Sequence, residues 1–138
     1  MLKKVTLALT IILLCIWTKS FAEGPNMLDG EWEMTVHTEM AGMPGGFTTT
    51  IPLCLTSKEP VPQMEKEQKC RMINQSISDD TITWTMECSD SGVVINSDGR
   101  VTYRGNTMEG VVNTTINQAG EIIKAVQRLE GKRIGPCK

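Results

Sequence analysis

The chain has 138 residues, a formal charge of −2 and few aromatic side chains, 4% of the total, which bounds it to one modest domain. Its 14 basic residues are scattered among 16 acidic ones. That speaks against nucleic acid or an anionic lipid surface as partner, since both require clustered Lys and Arg.

Residues 1–22 read as a secretory signal peptide. Lys3 and Lys4 supply a positive start, "VTLALTIILLCIW" is an uncharged apolar run of 13 residues, and Ser20-Phe21-Ala22 sets small residues before a cut. The run is short for a hydrocarbon core of ~30 Å, so no transmembrane segment is expected once it is cleaved. Lipid attachment at Cys15 is disfavoured because "ILL" before it lacks the small residue such processing needs. Cleavage after Ala22 leaves 23–138 as a single domain of 116 residues, with eleven basic and sixteen acidic side chains and a net charge of −5.

"EWEMTVHTEM", 31–40, alternates cleanly, Trp32, Met34, Val36 and Met40 on one face and Glu31, Glu33, Thr35, His37 and Glu39 on the other. "AGMPGG" reads as a reversal. "FTTTIPLCL" resumes alternation with Phe47, Ile51, Leu53 and Leu55 on one side. Pro52 cannot donate to a ladder, which places this strand at an edge or at a bulge. "TSKEPVPQMEKEQK" breaks the pattern and reads as a surface connection holding one helical turn from a Thr56 or Ser57 cap.

Residues 70–88, "CRMINQSISDDTITWTMEC", read as a hairpin turning over Ser78-Asp79-Asp80. The symmetric register pairs Cys70 with Cys88, Met72 with Met86, Asn74 with Trp84 and Ser76 with Ile82. Opposed residues lie ~4.5–5.5 Å apart at Cβ, within reach of a disulfide. Cys70–Cys88 is therefore expected, and Cys54–Cys137 by elimination among the four cysteines beyond residue 22.

"GVVINSDGRVTYRG" is extended with a break or bulge at Ser97-Asp98-Gly99, "GN" turns, and "TMEGVVNTTI" is a further strand. The stretch 121–134 suits either state: Ile122, Val126 and Leu129 would share a helical face, whereas the hairpin-like connections around it favour a strand. The whole predicts an all-β domain, an antiparallel meander forming an up-and-down barrel or strongly curled sheet held by two disulfides, with a β-sandwich as the alternative.

The order "GEWEMTVHTEMAGMPGG", "CLT", "TITWTMEC", "VTYRGNTMEG" and "GKRIGPC" resembles the secreted bacterial proteins grouped as domain of unknown function 3617, across essentially the whole of 23–138. The resemblance implies a β-rich domain exported to the periplasm or beyond in a Gram-negative bacterium. It brings no activity and no catalytic residue.

Three functions are weighed on the residues themselves, none of them enzymatic and none needing a cofactor. His37 is the sole histidine and falls on the polar strand face, and the mature cysteines are committed to bridges, which leaves no catalytic site to assemble. The leading reading is a binding module for a small apolar or lipid-like ligand, held on a concave face by Trp32, Met34, Met72, Trp84, Met86 and Met108. The first alternative is an envelope protein–protein interaction module without a small ligand. The second is Cu(I) binding through His37, Met40 and Met43 in "HTEMAGM"; strand alternation opposes it by separating His37 from Met40.

Overall fold

The computed structural model describes residues 24–63 and 69–138. The signal-peptide segment and Cys15 lie outside them. Among the described residues every regular element is a strand: β1 (Gly30–Met40), β2 (Met43–Leu55), β3 (Lys69–Ser78), β4 (Thr81–Asp90), β5 (Val93–Tyr103), β6 (Thr107–Gln118) and β7 (Glu121–Gly135). The last resolves the ambiguity over 121–134 in favour of strand. No described helix is long and apolar enough to cross a membrane.

The strands form one antiparallel sheet in the order β2-β1-β7-β6-β5-β4-β3. This is the neighbour order of a seven-stranded up-and-down barrel in which one seam, between β2 and β3, is not hydrogen-bonded. The sheet is curled and open, neither a closed barrel nor a sandwich. Pro52 sits on β2, an edge strand where a missing donor is tolerated.

The connection from β2 to β3 lies along this open seam. Expected to run over the surface, it instead buries Pro60, Val61 and Pro62. Two of these carry no N–H, so little donor capacity is left unpaired by burying a loop here. The Tyr103 hydroxyl donates to the Pro60 carbonyl, anchoring the segment to β5. The helical turn expected at Thr56 is reduced to one tight turn, in which the Glu59 N–H lies 3.1 Å from both the Thr56 carbonyl and Thr56 Oγ1.

The core fills one end of the curled sheet. Trp32, Met34, Ile82, Val101, Tyr103 and Leu129 are almost wholly inaccessible, and Trp32 meets Tyr103 edge to face at 5.6 Å between centroids. The chain before β1 covers this end: Leu28 N–H donates to Gly105 O at 3.1 Å, and Trp32 Nε1–H to Leu28 O at 3.1 Å.

Glycines make room for these side chains. Gly99 is the cross-strand partner of Trp84, and Gly131 that of both Met34 and Met108. A Cβ at Gly99 would overlap the Trp84 ring, and one at Gly131 would come within 2.7 Å of Met108 Cγ and Met34 Sδ. The large residues lie flat on the sheet only because their partners have no side chain. For the same reason β5 runs through Ser97-Asp98-Gly99 unbroken, where a break had been expected: Gly99 receives a ring, not a turn.

Both expected disulfides are present, Cys70–Cys88 with Cα atoms 4.0 Å apart and Cys54–Cys137 with 5.4 Å. The hairpin register differs in detail. Its turn is the two residues Asp79-Asp80, with Ser78 opposite Thr81, so Gln75 rather than Asn74 faces Trp84 and Ile77 rather than Ser76 faces Ile82. Two-residue turns match the twist of the flanking strands. A bulge at Ile73 then absorbs one residue and restores the Met72–Met86 and Cys70–Cys88 pairs. The reversal after β1 is likewise shorter than "AGMPGG": it takes Ala41-Gly42, and Met43-Pro44-Gly45-Gly46 belong to β2.

Candidate functional site

The end of the sheet away from the core is hollow. A cavity of about 280 Å³ opens there, floored by the concave faces of β1, β7, β6, β5 and β4. Its composition follows from three successive cross-strand rows. The deepest carries Thr38, Gln127, Val112 and, over Gly99, the Trp84 ring. The next carries Met40, Ala125, Thr114, Ser97 and Met86. The outermost carries Ile116, Ile95 and the Cys70–Cys88 bridge. Pro62 and Gln63 close the side toward the seam.

Apart from Gln63 on the seam side, the polar side chains of the lining gather in one place. Thr38, buried to 6% exposure, stands beside Gln127, and Ser97 Oγ lies 3.3 Å from Thr114 Oγ1 on the neighbouring row. Among the described residues the lining includes no charged side chain. Such a cup can hold an apolar body and satisfy a few neutral hydrogen-bonding groups. Among the described residues it offers no charge to stabilise an ion.

The structure divides the expected ligand-binding residues. Trp84 and Met86 line the cup, and Met72 lies beside it in a groove along the seam with Leu53, Val61 and Gln75. Trp32, Met34 and Met108 belong to the filled end, with at most 4% of their surface exposed. Ser97, Thr114 and Gln127 escaped the sequence reading. The signal was the strand phase: counting back by two from the inward Val101 gives Gly99, Ser97 and Ile95, which an expected break at Ser97 concealed.

The sulfur-rich turn is also divided. Met40 and Met43 are register partners at the end of the β1–β2 hairpin. His37 is on the convex face, its Nδ1 2.9 Å from Thr48 Oγ1 and its Nε2 3.6 Å from Glu39 Oε1. The sheet stands between its ring and Met40. Among the described residues no cluster of three or more His, Cys, Asp or Glu side chains is placed to hold a metal.

A family model described as protein of unknown function (DUF3617) matches residues 27–137. The chain belongs to the DUF3617 family. No curated protein and no solved structure matches it. For a DUF3617 chain the matched span takes in all seven strands and all four bridged cysteines. The two disulfides are compatible with an extracytoplasmic location.

Proposed function

We propose that this DUF3617 protein is a non-enzymatic binding module of the periplasm or extracellular space, taking a small apolar ligand into the open end of its curled sheet. One observation supports this above others: the same concave face that is packed solid around Trp32 and Tyr103 is left hollow around Trp84 and Met86. An open, mostly apolar concavity with a few convergent polar groups is the form that small-molecule sites take. The cavity volume, about 280 Å³, is at the small end for organic ligands, which suits one chain or ring rather than a multi-chain lipid. The non-enzymatic part of this reading rests on two observations: the four cysteines are bonded in pairs, and His37 is held against Thr48 on the opposite face of the sheet from the cup.

The test is native mass spectrometry of protein recovered from its own compartment without reductant or organic solvent. A ligand mass, released by solvent and absent from an Ala125→Phe variant whose added ring fills the cup, is the expected result. A bare chain in the unsubstituted protein would shift the reading to the interaction module. That second reading has its own observation: Phe47 on β2 and Ile73 and Ile77 on β3 are about half exposed along the two unpaired edges.

A further inference from the structure

The polar patch within the cup says what kind of apolar ligand fits. Thr38 and Gln127 are directly opposed across β1 and β7, and Thr114 and Ser97 across β6 and β5. These four lie between two apolar zones. Toward the core stand Val36, Leu129, Val101 and Ile82, all nearly inaccessible. Toward solvent stand Ile116, Ile95 and the Cys70–Cys88 bridge. On the sheet wall, a ligand that enters through the open end therefore meets Ile116, Ile95 and the bridge first and the hydroxyls and amide of the two inner rows last, Gln63 being a further polar side chain on the seam side. Its polar end is inside and its apolar body outside.

The patch is neutral. Hydroxyls and an amide both donate and accept, so they match an alcohol, an ester or an amide. An ionised carboxylate or phosphate would leave water with no cation among the described lining residues to replace its hydration. The acidic excess of residues 23–138 adds a weaker, salt-screened bias against an anionic end, while a cationic end, too, would leave water for a lining with no described counter-charge. Resting on the cup being a ligand site, we infer that it selects single-chain amphiphiles with an uncharged polar end, bound head-inward on Thr38, Gln127, Thr114 and Ser97.

The measurement is a titration of the whole protein with decan-1-ol, decanoate and decyltrimethylammonium at a pH where decanoate is fully ionised. Trp84 fluorescence in a Trp32→Phe background reports occupancy, since these are the two tryptophans beyond residue 22. The alcohol is expected to bind at least about tenfold tighter than either ion, which corresponds to about 1.4 kcal/mol. A Thr114→Val variant, equal in shape but without the hydroxyl, should lose most of that preference and retain its fold by circular dichroism. Equal binding of all three probes, or an unchanged preference in Thr114→Val, overturns the head-inward assignment and leaves the cup standing. Tight binding of decanoate alone also overturns it. Failure of every probe to change Trp84 emission overturns the cup itself.

Discussion

Tyr103 is the single tyrosine of the chain, and its burial at the filled end has a measurable consequence. Desolvation disfavours the phenolate and pushes its pKa far above the ordinary value. Below about pH 10, where an unfolded tyrosine stays neutral, its contribution to stability is fully present. As the pH rises beyond that, the unfolded state ionises and the folded state does not, so stability drains away. Alkaline titration should therefore show tyrosinate absorbance appearing only together with unfolding. Tyr103→Phe should flatten this alkaline decline and, at neutral pH, cost about 1–3 kcal/mol in denaturant unfolding, because the buried Pro60 carbonyl loses its donor. An early, unfolding-independent tyrosinate signal would show the hydroxyl to be open to water.

The hairpin β3–β4 shows how far strand-level reasoning from sequence carries, and where it stops. Cysteine spacing reports only the ends of the hairpin, and there it was right. The two-residue turn and the bulge at Ile73 are equal and opposite offsets lying between those ends, so the pairs inside them were shifted while the bridge was not. The polar half of the cup was hidden for a related reason: Ser97-Asp98-Gly99 has the composition of a turn, and its role depends on a tryptophan 15 residues earlier in sequence. Strand type, the edge character of β2 and the identity of the bridges are local or pairwise facts, and were legible. The plug at Pro60-Val61-Pro62 depends on a seam that no single segment encodes. The bridges differ in reach, spanning 83 residues for Cys54–Cys137 and 18 for Cys70–Cys88. In the chain-entropy model they contribute roughly 4.5 and 3 kcal/mol. Replacing Cys54 and Cys137 together by Ala should accordingly lower the unfolding midpoint more than replacing Cys70 and Cys88. The reverse order would mean that the Cys70–Cys88 bridge stabilises chiefly by holding the cup wall.

For the molecule as a whole, the seam makes stability uneven. β7 and β6 are paired on both flanks, whereas β3 is paired on one and leaves a row of backbone groups free. Native-state hydrogen exchange should be slowest in 107–135 and fastest in 69–78, the edge strand that is exposed at most of its positions. Uniform protection across all strands would mean that the seam is shut in solution.

The pairing of β1 with β7 sets Glu31 beside Gly135, a hundred residues later in the chain. A polypeptide made from its N-terminus thus presents its first hairpin early and must wait for the fifteen residues of β7 before that hairpin gains its second neighbour. Every one of the middle strands can find a partner sooner. Cys54 has its partner 83 residues later, with Cys70 and Cys88 coming out in between. The β3–β4 hairpin, by setting Cys70 against Cys88, therefore also withholds both from Cys54 until Cys137 arrives.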